Sequence, residues 1–157
     1  MMIEGVSLVQ VNSADADGVT ALAVAAAAGH ETMVASLLAV GAATDLRTRS
    51  GVTALMFAAI NGHAAIVEAV LEKEYWDALD FDDKEMSLDF QDDDGLTALM
   101  HSVVGGHAGI ADLLLEKDAQ LNLCDAQGVP CRRGRRGHFH ICHPLLRGSV
   151  WKVARQS

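Results

Sequence analysis

The stretch Asp15-Ala16-Asp17-Gly18-Val19-Thr20-Ala21-Leu22-Ala23-Val24-Ala25-Ala26-Ala27-Ala28-Gly29-His30 decides the fold, because it returns twice along the chain. Gly18-Val19-Thr20-Ala21-Leu22 comes back as Gly51-Val52-Thr53-Ala54-Leu55, 33 residues on, and as Gly95-Leu96-Thr97-Ala98-Leu99, a further 44 on. Gly29-His30, Gly62-His63 and Gly106-His107 keep the same spacings, as do Leu37-Leu38, Val70-Leu71 and Leu114-Leu115. The longer interval is therefore one 33-residue unit carrying an 11-residue insertion after Leu71. A fixed period in this range marks a stacked array of small units.

Each unit reads as two short helices. Thr20, Thr53 and Thr97 sit where an N-cap hydroxyl can accept from a free amide of the first turn, ahead of an alanine-rich run. Gly29, Gly62 and Gly106 are placed to take the left-handed conformation that closes a helix. A second helix follows, with Met33, Val34, Leu37 and Leu38 at helical spacing. Ile66, Val67, Val70 and Leu71 repeat that stripe, and Ile110, Ala111, Leu114 and Leu115 repeat it again. One such stripe cannot bury itself, whereas stacked neighbours can. Truncating Leu37 or Leu71 to alanine should then cost about 2 to 5 kcal/mol.

These positions resemble the ankyrin repeat, which has a 33-residue period and a Thr-Pro-Leu-His-x-Ala core. The resemblance covers residues 8–129 and rests on about ten matched positions per unit. It implies an all-α solenoid of helix-turn-helix units with short β-turn or hairpin fingers. The expected organisation is a remnant of a preceding unit at 1–14, units at 15–47, 48–91 (with the acidic insertion) and 92–124, and a degenerate fourth unit with a basic tail at 125–157. For His30, His63 and His107 the resemblance implies a structural bond to the adjoining backbone.

The departures from the family pattern carry their own expectations. Ala21, Ala54 and Ala98 stand where the family has proline, a mild change because alanine is a good helix former. Ala23, Met56 and Met100 replace the family's histidine beside the leucine, so stability below that of a consensus array is expected. Ser102 and Val103 replace Ala25-Ala26 and Ala58-Ala59, which predicts looser packing in the third unit. An array needs polar caps, so either the chain is part of a longer one or its first helices are partly exposed. Pro130-Cys131-Arg132-Arg133-Gly134-Arg135-Arg136 puts arginines where a first helix should be apolar, consistent with a degenerate or out-of-frame segment, poorly ordered.

The chain has 157 residues and a net charge of −9, with half its residues apolar and 4% aromatic. All 21 acidic residues lie at or before Asp125, so residues 1–129, with five basic side chains, carry −16 while 130–157 carry +7. A body this acidic repels phosphate backbones and acidic membranes, leaving proteins with basic or mixed faces as partners. Three cysteines without a CxxC pair point to a reducing compartment, cytoplasmic or nuclear. Met1-Met2-Ile3-Glu4 lacks a basic leader and the longest apolar run, Ala21 to Ala28, is too short for a bilayer.

Candidate chemistry is sparse. The insertion continues as helix through Leu71, Tyr75, Ala78 and Leu79, then turns acidic at Asp80, Asp82, Asp83, Glu85, Asp89, Asp92, Asp93 and Asp94, without the order of a calcium loop. Trp76, Phe81 and Phe90 serve either as local packing or as anchors for a partner. Cys131, His138, His140, Cys142 and His143 are zinc-type ligands in an unfamiliar spacing, and no metal or cofactor is expected. Arg132, Arg133, Arg135 and Arg136, near Phe139, are the one place for nucleic acid. No nucleophile elbow, P-loop, zinc-protease or dinucleotide motif is present, and adjacent His101 and Ser102 point about 100° apart on a helix.

The resemblance implies a non-catalytic scaffold that binds a protein on a concave face, formed by the finger tips and the exposed side of each first helix. Those positions are Ala16, Asp17 and Val19 with Ala27 and Ala28, then Arg47, Arg49, Ser50 and Val52 with Phe57, Ile60 and Asn61, and Asp93, Asp94 and Leu96 with His101 and Val104. Two other roles stay open: a regulatory piece of a larger multidomain protein, and a nucleic-acid adaptor acting through the basic tail. No small-molecule substrate and no membrane partner is expected.

Overall fold

In a computed structural model, residues 8–80, 87–117, 119, 131–133 and 139–141 are described. The chain runs through α1 (Leu8–Val11), α2 (Ala21–Ala28), α3 (Glu31–Ala39), α4 (Ala54–Asn61), α5 (Ala64–Asp80), a 3-10 turn (Ser87–Asp89), α6 (Ala98–Val104) and α7 (Ala108–Glu116). The fold is an all-α repeat array. First helices α2, α4 and α6 pack in one row, and second helices α3, α5 and α7 pack in another.

Local chemistry sets the helix ends. The hydroxyls of Thr20, Thr53 and Thr97 accept from the amides of Ala23, Met56 and Met100 at 3.2, 3.3 and 3.3 Å, and the alanine that follows each threonine opens the helix. Buried N-caps of this kind are worth about 1 kcal/mol each. Gly29 and Gly62 close α2 and α4 at φ of 78° and 80°, where a side chain is disfavoured. Gly106 also has a positive φ, of 75°, but α6 ends one residue earlier, at Gly105.

The core lies between the rows and repeats with the sequence. Leu22, Leu55 and Leu99 are all buried, as are Val34, Val67 and Ala111. Met56 and Met100 are fully buried too, so the family's histidine site is filled by flexible apolar side chains. The looser packing expected at Ser102 and Val103 does not show as exposure. Both are buried, and the Ser102 hydroxyl satisfies itself on Leu99 O at 2.7 Å.

Two parts of the expected apolar stripe differ from the structure. In the first unit Met33 is 54% exposed and Leu37 only half-buried, so Val34 and Leu38 carry the burial there. Truncating Leu37 should therefore cost less than truncating Leu71. In α5, which is 17 residues against nine in α3 and α7, the buried face runs Val67, Val70, Leu71 and then Glu74. That is the i, i+3, i+4, i+7 set, and it leaves Tyr75 53% exposed rather than in the stripe. Glu74 is satisfied inside, where its two oxygens accept from Ser87 N, at 3.1 Å, and from the Ser87 hydroxyl. A buried carboxylate needs such donors, and these fasten the returning chain to α5.

Beyond Ala119 the described backbone is a two-stranded antiparallel ladder, β1 (Cys131–Arg133) and β2 (Phe139–Ile141), with Cys131 opposite Ile141. The remaining expectations for 120–157, including most of the zinc-type group and Arg135 and Arg136, lie outside the described residues, as does Phe81.

Candidate functional site

The fingers between units are built from one acceptor residue each. Asp15 Oδ1 accepts from Asp17 N and Val19 N, both at 2.9 Å, and Asp92 Oδ1 accepts from Asp94 N and Leu96 N at 3.0 and 2.9 Å. At the same place Thr48 Oγ1 accepts from Val52 N at 3.1 Å. In each finger the chain also closes on itself, Asp15 N to Val19 O, Thr48 N to Val52 O and Asp92 N to Leu96 O, at 3.0 to 3.1 Å. Gly18, Gly51 and Gly95 supply the positive φ of each turn.

Neighbouring fingers are joined edge to edge. Arg49 N donates to Asp17 O at 2.8 Å and Asp93 N donates to Ser50 O at 2.9 Å. The approach is close enough that a Cβ on Gly18 would lie 3.1 Å from Thr48 Cα, and one on Gly51 3.0 Å from Asp92 Cα. At the other end of each first helix a histidine makes the corresponding joint. His63 Nε2 donates to Ala27 O at 3.2 Å and His107 Nε2 donates to Ile60 O at 3.1 Å. A carbonyl can only accept, so both rings carry their proton on Nε2. This is the bond that the resemblance implied for His63 and His107. His30 stands at the same position but is exposed, and its side chain has no partner among the described residues.

The proposed binding positions fall into three groups. Ala16, Asp17, Arg47, Arg49, Ser50, Asp93 and Asp94 are exposed on the fingers, and Ala28, Ile60 and Asn61 are exposed on first helices. Val19, Ala27, Val52, Phe57, Leu96 and Val104 are only partly exposed. Two side chains are already engaged within the chain. The Arg47 guanidinium lies 4.0 Å from the centroid of the Phe90 ring, and His101 Nε2 is 2.7 Å from Asp92 Oδ2. Phe90 thus serves as packing, partly buried against the core, whereas Trp76 is 64% exposed and edge-on to Tyr75 at 5.8 Å. Sequence reasoning missed Asp92 as the residue that shapes the third finger and holds His101. Its recurrence with Asp15 and Thr48, at the repeat spacing, was the available signal.

Among the described residues no group of three or more His, Cys, Asp or Glu side chains is placed to hold a metal ion. No described helix is long and apolar enough to cross a membrane. A row of hydrogen-bonded fingers over a row of short helices is the architecture of a helical-repeat interaction module. The family model for ankyrin repeats, in three copies, matches residues 2–83 and 48–125, and the chain belongs to that family. Ankyrin repeats are generally protein–protein interaction modules and typically non-catalytic scaffolds. No curated protein matches the chain.

Proposed function

We propose that this protein captures a protein partner across its finger row and the exposed sides of α2, α4 and α6. The observation that supports this most is the backbone joint between fingers, Arg49 N to Asp17 O and Asp93 N to Ser50 O, which holds exposed tips in fixed relation without spending their side chains. A surface organised before contact loses little entropy on binding. The tips bring together Asp17, Asp93 and Asp94 against Arg49, since Arg47 is committed to Phe90. That balance favours a partner with a basic or mixed face, and a cytoplasmic or nuclear setting fits the cysteine usage.

The test is affinity capture from cell extract with the wild-type chain and with Arg49→Glu, Ile60→Arg and Asn61→Arg combined. Proteins held by the wild type should be lost from the variant, with far-UV circular dichroism unchanged. Equal capture by both would show that the partner binds elsewhere.

A further inference from the structure

Aligned by the repeat spacing, the three fingers read Ala14-Asp15-Ala16-Asp17, Arg47-Thr48-Arg49-Ser50 and Gln91-Asp92-Asp93-Asp94. Their turns close in the same way. Gly18 N donates to Asp15 O, Gly51 N to Thr48 O and Gly95 N to Asp92 O, at 2.9 to 3.0 Å, so Thr48 and Ser50 each occupy the place of an aspartate in both neighbours. The charge reverses with them. Two of the five basic side chains of residues 1–129 stand at 47 and 49, whereas each flanking finger carries acidic charge alone. Two hydroxyls set between arginines interrupt an otherwise acidic row.

The two hydroxyls differ in access. Thr48 is half-buried, and its Oγ1 accepts from Val52 N at 3.1 Å inside the turn. Ser50 is exposed, with its Oγ 3.0 Å from Thr48 Oγ1, and it is the Ser50 carbonyl, not the side chain, that makes the joint to Asp93 N. Arg49 is exposed beside it. Arg47 is exposed as well and rests its guanidinium on the Phe90 ring, a kind of contact that is weak at an open surface and can be exchanged for an incoming anion.

We propose that Ser50 is a phosphorylation site, modified from ATP by a serine/threonine kinase that reads arginine one and three residues before its acceptor. Kinases select substrates by charge pattern, and no other serine or threonine of this chain has arginine at both places. The Ser50 Oγ attacks the γ-phosphorus of ATP. The Oγ–P bond forms as the bond from that phosphorus to the β–γ bridging oxygen breaks, ADP leaves, and the hydroxyl proton passes to the kinase's base. The added group carries about −1.5 to −2 at pH 7, enough to offset Arg47 and Arg49 together. Negative charge then stands where Asp17 and Asp94 already hold it, and the finger row becomes acidic along its length. A partner of mixed face that pairs with Arg49 is released. That last consequence rests on the binding surface proposed above; the modification does not.

The test is incubation of the full chain with an arginine-directed serine/threonine kinase and Mg-ATP, read by intact mass and by fragment mapping. One phosphoryl group should enter, at Ser50, at a rate within about tenfold of that on a peptide of residues 44–53, the factor that corresponds to about 1.4 kcal/mol. Ser50→Ala should abolish incorporation, and Arg49→Ala should slow it about tenfold or more. Both replace exposed residues, and circular dichroism should show both variants folded. A chain modified more than about tenfold slower than the peptide would overturn the proposal, because the finger would then have to unfold in order to react. So would a peptide that itself goes unmodified, or incorporation that survives Ser50→Ala. Affinity capture with the modified chain reads the other claim: full modification with every captured protein retained would count against the finger surface and leave the site standing.

Discussion

The glycine–histidine corner between the second and third units offers the sharpest test of how neighbours hold each other. Gly62 sits at φ 80°, and a Cβ there would lie 2.6, 2.8 and 3.1 Å from Cε1, Nδ1 and Nε2 of His107. Gly62→Ala thus does two things at once. It places a side chain in the left-handed region, at roughly 1 to 2 kcal/mol. It also drives the His107 ring off Ile60 O, forfeiting a bond worth about 0.5 to 1.5 kcal/mol. The expected loss is about 1.5 to 3.5 kcal/mol in urea denaturation. His107→Ala alone should cost about 1 kcal/mol. In the double variant the clash has no target and the bond is already gone, so the loss should fall short of the sum by about 0.5 to 1.5 kcal/mol. Losses that add to within about 0.3 kcal/mol would show that the two residues do not meet, and the account of the corner would be wrong.

Other substitutions probe separate parts of the array. Leu71→Ala empties a fully buried site and should cost about 2 to 5 kcal/mol in the same denaturation assay, with Leu37→Ala clearly below it. Thr53→Ala removes a buried N-cap and should cost about 1 to 2 kcal/mol, with amide exchange at Met56 quickened; unchanged exchange there would contradict the cap. Glu74→Ala leaves Ser87 N without its acceptor and should lower stability by about 1.5 to 3 kcal/mol while deprotecting that amide in hydrogen exchange. Thr44→Val, at a buried hydroxyl with no partner among the described residues, should raise the urea midpoint, by up to about 1 kcal/mol in stability.

What could be read from the sequence was what depends on nearby residues or on period. The threonine caps and the positive-φ glycines act within four residues of themselves, so their types and spacing were enough. Stacking followed from the period. The histidine bonds were reached through family resemblance alone, because their acceptors lie 36 and 47 residues away. Tyr75 was misjudged for a physical reason: spacing from Leu71 and an apolar ring picked it as the continuation of the buried face, while spacing from Val67 leads to Glu74. Arg47 on Phe90 joins residues far apart in sequence, and no local pattern announces it. Met33 shows a further limit. It has the same helical position as Ile66 and Ile110, but its exposure depends on whether a neighbour covers it.

The hold of Glu74 on Ser87 has a consequence for how this chain could be altered. One carboxylate pins the chain at Ser87 and α5 carries it as far as Asp80, so both ends of the stretch between them are fixed. Lengthening a closed loop costs only about 0.6 kcal/mol per doubling. Foreign peptides spliced between Asp80 and Ser87 should therefore leave the repeat spacing untouched, which makes this site the natural place to graft an epitope or a reporter.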